Sequence, residues 1–339
     1  MSSETDAASG PRLDALFAGT VFLDLVFAQV PNPEAGTEVF ARAFTISPGG
    51  AANRAVAAAR LGLHTALLAE LGNDPLGNTL REVLAQEVNL DISWIAQRAG
   101  FQSPVTVSLT NDADRRFVTY AEEQADLCWP ASLPLVRLAQ VEVAHALPHW
   151  SAALRSRGTV FYGGVGWDDT GEWSPTVLDR LAEVDVFVPN DVEAMRYTRT
   201  DRPEEAARVL GERVGLVVVT CGADGAIAYE RETGELTRVP TVPVRATDPT
   251  GAGDTFVAAL MASHDLGWPM EQRLSLGCLA ASYSVQSLGG ASSAPRPADL
   301  RRFLGQVRPP GDWAAIAAWL ETVDASRPTR YEPSPGAGG

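Results

Sequence analysis

Thr247-Asp-Pro-Thr-Gly-Ala-Gly-Asp-Thr-Phe-Val257 sets a turn of small residues, Gly251-Ala252-Gly253, directly before an acid, Asp254. An apolar run from Phe256 to Met261 follows and reads as a helix. A glycine-rich turn that opens a helix aims several backbone N–H groups at one spot, where the helix dipole also favours negative charge. Phosphate suits that spot. A carboxylate beside it needs a reason, and the simplest is a general base that takes a proton from a hydroxyl as it attacks phosphorus. Gly-x-Gly-Asp alone reads equally well as a helix N-terminus with Asp254 as a capping acid. The longer string is more specific.

Outward from this stretch, strand-like and helix-like segments alternate. Ala15 to Ala28 is apolar and β-prone, and Gly50 to Leu61 is an alanine-rich helix. Thr65 to Leu71 reads as a strand, after which Asp74-Pro75 opens a helix running to about Gln86. Pro104 to Leu109 and Arg116 to Tyr120 flank Asn111-Asp-Ala-Asp114 as a hairpin. Val141 to Ala146, Thr159 to Tyr162, Val184 to Val188 and Leu216 to Thr220 are short apolar runs of the kind buried parallel strands show. The pattern predicts an α/β fold: a doubly wound, mostly parallel central sheet with helices on both faces.

Asp248-Pro-Thr-Gly-Ala-Gly-Asp254-Thr-Phe resembles the C-terminal signature of the ribokinase-like (PfkB) carbohydrate and nucleoside kinases. Pro48-Gly-Gly-Ala-Ala-Asn53-Arg-Ala-Val-Ala-Ala-Ala-Arg-Leu-Gly62 is similar to their N-terminal signature, and the resemblance covers residues 14 to 300. It implies a kinase domain over 12–306, with a small β lid built from parts of 27–46 and 101–120. Residues 307–325 would form a C-terminal extension with a helix at Trp313 to Val323. The polar 1–11 and the Pro- and Gly-rich 326–339 are expected to be disordered.

The resemblance also implies site residues. Asp254 would be the base, and the amides of Gly251, Ala252 and Gly253 an anion hole. Asn190-Asp-Val-Glu193 resembles the family's Asn-x-x-Glu motif, which organises Mg²⁺ and nucleotide phosphate, Glu193 acting through water. The same residues equally form a capping box. Thr220, Gly222 and Gly225 resemble the nucleotide loop, and Cys278, where many relatives carry Asn, lies on the helix that closes over adenine. Asp248, Thr250, Val285, Gly289 and Ser293 resemble a monovalent-cation (K⁺) site that some members have. Asp24, Gly49, Gly50 and Asn53 match positions that hold the acceptor's hydroxyls; for Asp24 a solvated strand end is the plain alternative. Tyr162-Gly-Gly-Val-Gly-Trp167 departs from relatives with an acid just after this strand.

Composition bounds the partners. With 339 residues, 45% hydrophobic and 20% charged, the chain can bury one large core or two smaller ones. A net charge of −15 argues against nucleic acid and anionic membranes. Three widely spaced cysteines, Cys128, Cys221 and Cys278, suit reduced thiols in the cytoplasm rather than a metal cluster. No run reaches transmembrane length, and Met-Ser-Ser-Glu-Thr-Asp lacks signal-peptide character. His64, His145, His149 and His264 show no metal spacing. There is no lysine, so phosphate must be met by backbone amides, arginine and metal. The expected activity is ATP- and Mg²⁺-dependent transfer to a primary hydroxyl of a small sugar or sugar-like molecule, by a protein for which a homodimer is one assembly in keeping. A nucleoside kinase, or a silent sugar- or nucleotide-responsive protein on the same fold, is the alternative. A Rossmann dehydrogenase is disfavoured, because no Gly-x-Gly-x-x-Gly follows the first strand.

Overall fold

The computed structural model describes residues 12–31, 34–110, 115–122, 127, 134–166, 168 and 170–325. The termini read as disordered, the hairpin turn at 111–114 and Cys128 lie outside the described residues. Strands β1 (Arg12–Ala18), β2 (Val21–Ala28) and β3 (Ala43–Gly50) lead into helix α1 (Ala51–Arg60). There follow β4 (Thr65–Gly72), α2 (Pro75–Leu84), β5 (Leu90–Asp91), β6 (Ile95–Arg98), β7 (Val105–Thr110) and β8 (Arg115–Tyr120). Next come β9 (Leu135–Glu142), α3 (Ser151–Arg155), β10 (Val160–Gly164), α4 (Thr176–Asp179), β11 (Val186–Phe187), α5 (Asp191–Thr198) and α6 (Pro203–Gly211). The rest is β12 (Leu216–Thr220), β13 (Ala226–Glu230), β14 (Leu236–Val239), α7 (Ala252–Ala262), α8 (Met270–Ser284), α9 (Gly290–Ser293), α10 (Pro297–Val307) and α11 (Ala314–Ala325).

A ten-stranded sheet runs β14-β13-β12-β11-β10-β9-β1-β4-β5, with β6 also paired to β4. Every pairing from β12 through β4 to β5 and β6 is parallel, and only β13 and β14 turn antiparallel. Successive side chains of a strand point to opposite faces, so a strand covered on both sides is apolar throughout. On β12, Val218 joins the core under α1, α7 and α8, while Val217 and Val219 join the core under α5 and α6. The doubly wound sheet with helices on both faces is therefore as the sequence predicts.

A separate four-stranded sheet has the order β3-β2-β7-β8. Its extent corrects two expectations. Ala15 to Ala28 is two strands in two different sheets, parted at Gly19-Thr20, because a continuous apolar run carries no period to mark the change. Asp24 consequently sits mid-strand in β2, opposite Ser47 of β3 and Thr106 of β7, and not at the end of the first strand. The run expected at Val141 to Ala146 begins earlier, at Leu135, because Arg137 and the buried Gln140 interrupt its apolar pattern. The hairpin of β13 and β14 was not foreseen; its short strands carry Thr, Arg and Glu. No helix among the described residues is long and apolar enough to cross a membrane.

Two local devices fix the path toward the site. Asp74 caps α2, accepting from the Gly77 N–H at 2.7 Å and from the Ser103 N–H at 2.7 Å. Gly50 ends β3 with φ 62° and caps α1, so strand passes into helix without an intervening loop. A side chain there would meet the Thr20 carbonyl oxygen at 2.3 Å. At the other end of the chain, α11 lies on α8 and α10, burying Ile316 and Leu320 completely. Trp319 of α11 meets Trp268 edge-on, with ring centroids 6.0 Å apart. Leu320→Ala should cost about 2–4 kcal/mol of stability in urea unfolding, as expected of a core leucine; an unchanged midpoint would mean that α11 is not part of the cooperative core.

Candidate active site

The sequence places Asp254 in the first turn of α7, and the fold brings α1 across to meet it. Gly251, in the left-handed region at φ 75°, caps α7, and a side chain there would strike Gly290 Cα at 2.6 Å. Glycine is required at that crossing. Gly253 faces open space, since a side chain on it would touch nothing within 4 Å. Of the expected anion-hole amides, the Ala252 N–H already bends back to the Pro249 carbonyl at 3.3 Å.

Both oxygens of Asp254 are held by α1. Asn53 Nδ2 donates to Oδ2 at 3.1 Å, and Arg54 Nε donates to Oδ1 at 2.7 Å. Arg54 Nη1 reaches on to Glu142 Oε1 at 2.9 Å, which Gln140 Nε2 also contacts at 3.2 Å. Burial works to lower the Arg54 guanidinium's pKa, but Glu142 and Asp254 outweigh it and push it upward. Arg54, Glu142 and Gln140 are functional candidates that sequence reading missed. Arg54 follows Asn53 within the first signature, and Glu142 ends a central parallel strand, where α/β folds place ligand groups.

Asp24 joins this cluster from β2. Gly49 lets the backbone of β3 pass close beside it: a side chain there would come within 2.2 Å of Asp24 Oδ2. Burial, and then the charges of Asp254 and Asp248, push the Asp24 carboxyl up to about 7. Asn53 Oδ1 and Glu142 Oε2 are buried with no hydrogen-bond partner among the described residues. Unpaired buried acceptors are costly, so they are suited to hydroxyl donors from a ligand. The structure thus brings Asp24, Gly49, Gly50, Asn53 and Asp254 into one neighbourhood.

Two cavities flank the turn. The larger, about 420 Å³, is lined by Thr220, Gly222, Gly225, Val242, Phe256 and Cys278 among others, and has mostly apolar walls. Burial pushes the Cys278 thiol up to about 12, so it forms a neutral, inert wall. The smaller, about 170 Å³, is lined by Arg54, Tyr162, Asn190, Glu193, Gly251 and Asp254 among others. Thr220 and Gly253 border both cavities.

Asn190 and Glu193 form a reciprocal capping box at α5, with bonds of 2.8 and 2.9 Å. Burial drives the Glu193 carboxyl up to about 7, against the lowering effect of the Asn190 N–H. Among the described residues no group of three or more His, Cys, Asp or Glu is arranged to hold a metal alone. The five residues matched to a cation site are neighbours, but their oxygens already have protein partners. Asp248 accepts from the Thr250 and Gly289 N–H groups, both at 2.9 Å. The Val285 carbonyl accepts from Thr247 and Asp248, and Ser293 Oγ donates to Gly290 O at 3.0 Å. Tyr162, at the departure from the relatives' pattern, hydrogen-bonds His264 Nδ1 at 2.8 Å.

Residues 15–297 match the family described as pfkB family carbohydrate kinase. Mouse (Mus musculus) ribokinase is 29% identical over 304 residues, covering 83% of this chain and 92% of its own length. The fructokinase of Klebsiella pneumoniae is 31% identical over 291 residues, covering 76% of this chain and 92% of its own length. In fold, the chain is similar to Arabidopsis thaliana ribokinase, solved in complex with ribose and ATP. The TM-score is 0.71 at 21% identity, covering 87% of this chain and 99% of that one.

The raised Asp24 carboxyl makes a prediction. It holds its proton more tightly in the folded than in the unfolded chain, so it costs stability as pH rises from its ordinary 3.8 through about 7. Asp24→Asn should therefore melt above the parent at about pH 8, with the gap closing as pH falls through that window. A gap that is independent of pH would refute the assignment.

Proposed function

The chain belongs to the pfkB family of carbohydrate kinases, and from that premise we propose that it moves the γ-phosphate of ATP onto a primary hydroxyl of a small sugar or sugar-like molecule. The observation that carries this is the clamp on Asp254. Its two oxygens are fixed by Asn53 and Arg54 at the N-terminus of a helix, between a polar acceptor neighbourhood and an apolar cavity of about 420 Å³. Each oxygen keeps a lone pair for an incoming hydroxyl.

In this reading Asp24, Gly49, Gly50 and Asn53 hold the acceptor. Asp24, half protonated near neutral pH, can both donate to and accept from a hydroxyl pair. Asp254 takes the proton of the primary hydroxyl as its oxygen bonds to the γ-phosphorus, and the bond to the bridging oxygen breaks to release ADP. The first-turn amides at Gly251, Ala252 and Gly253 stabilise the charge on the transferring group, with Gly253 and Gly251 best placed. Thr220, Gly222, Gly225 and Cys278 line the nucleotide cavity, whose apolar walls fit an adenosine moiety. Asn190 and Glu193 fit a hydrated Mg²⁺, since Glu193 spends only one oxygen on its cap. When bound, that ion would neutralise the phosphates that no lysine is present to meet. The small sheet acts as a lid over the acceptor, and residues 12–306 form the kinase domain, followed by the extension at 307–325. The cluster at Asp248, Thr250, Val285, Gly289 and Ser293 is suited to K⁺, since each Asp248 oxygen accepts one bond and Ser293 Oγ donates, which leaves lone pairs for a cation.

Phosphate transfer from ATP across pentoses, hexoses, sugar acids, sugar phosphates and nucleosides tests the activity. Asp254→Asn should keep the fold and ATP binding while losing roughly 10²–10⁴-fold in kcat. Near-parental turnover by the Asn variant at saturating substrate would remove Asp254 from the role of base.

A further inference from the structure

The guanidinium of Arg54 stands between two carboxylates, one of them the proposed base. Its Nε–H binds Asp254 Oδ1 at 2.7 Å and its Nη1 binds Glu142 Oε1 at 2.9 Å. Nη2 bonds to no described residue. The guanidinium is a rigid plane with fixed donor directions, so the two carboxylates it joins cannot turn independently. Glu142 is in turn steadied by Gln140 from the same strand. The relay therefore passes from β9 through α1 to the first turn of α7. Gly164, at the end of β10, makes room for it: a side chain there would come within 3.2 Å of Gln140 Nε2 and 3.6 Å of Arg54 Nη1.

Charge gives the relay a second consequence. Arg54 is the only basic residue lining the smaller cavity among the described residues, and its charge is already shared by two acids. Asp254 is held by Asn53 and Arg54 of α1, interacts electrostatically with Asp24 of β2, and shares the smaller cavity with Glu193 of α5. The cation thus keeps Asp254 and Glu142 close together, where the two carboxylates alone would repel.

We propose that Arg54 is a positioning residue that aims Asp254 through its tie to Glu142. The proposal rests on Asp254 being the general base. It makes the aim of the base depend on a planar fork anchored at both ends.

The test compares the parent enzyme, Arg54→Gln and Arg54→Lys, with ATP as donor. The acceptors are neutral sugars and nucleosides alongside their carboxylate and phosphate counterparts. In Arg54→Gln, kcat should fall by about 10–100-fold through misplacement of the base, while the KM for the best acceptor changes little. The KM for ATP and the melting temperature should stay near parental values. Arg54→Lys restores a charge but not the fork, so kcat should recover only in part. A parental kcat in Arg54→Gln overturns the positioning role, as does a loss carried by KM rather than kcat or one explained by lowered melting temperature in both variants. If the parent transfers phosphate to no acceptor, the phosphotransferase reading falls and this proposal with it. If the parent is active and Asp254→Asn is dead while Arg54→Gln behaves as the parent, only the proposal made here falls.

Discussion

Asn53 and Asp254 are 201 residues apart in the chain, and the site depends on the hydrogen bond that joins them. That bond requires the N-terminal ends of α1 and α7 to come close, with Gly290 of α9 packed against both. The meeting is possible because glycines stand at the crossing. A side chain on Gly251 would strike Gly290, and one on Gly290 would strike Asn53 Oδ1 at 2.4 Å. The alanines of α1 serve the same end: Ala51, Ala52, Ala55 and Ala58 are all buried and offer little bulk between helix and sheet. Small residues here do not signal flexibility. They set the distance at which a carboxylate, an amide and a guanidinium can share two oxygens.

Electrostatically the site is an acidic pocket governed by one arginine. Burial and neighbouring acids lift Asp24 and Glu193 toward neutrality, so protonation relieves part of the repulsion. Around Asp254 the relief comes from Arg54 instead. Arg54 also acts on Glu193, opposing its upward shift without cancelling the effect of burial. A carboxyl kept near its titration point destabilises the folded chain at neutral pH, which is a cost commonly borne where function requires buried acids.

The doubly wound sheet was legible because buried parallel strands leave a mark in sequence: short apolar runs such as Leu216 to Thr220, spaced by helices. The turn that opens α7 was legible because Gly251 and Gly253 directly before an acid and an apolar run mark a tight helix start. What escaped was whatever depended on distant pairing. Nothing local says that Val21 leaves the sheet to which Leu16 belongs, since both strands are equally apolar. Arg54 was in plain view within the first signature, yet its partners, Glu142 and Asp254, lie 88 and 200 residues away. Gln140 was invisible for a related reason: a polar residue within a strand normally faces water, and this one is buried.

The direct passage of β3 into α1 at Gly50 has a mechanical meaning. One end of this continuous piece is a strand of the small sheet, and the other carries the two side chains that grip Asp254. With no slack loop between them, strand and helix form a bell crank with a single pivot. Any swing of the small sheet over the pocket would be felt at the carboxylate as a change of aim, transmitted by covalent geometry rather than by a messenger residue. Covering the pocket and orienting the base would then be one motion.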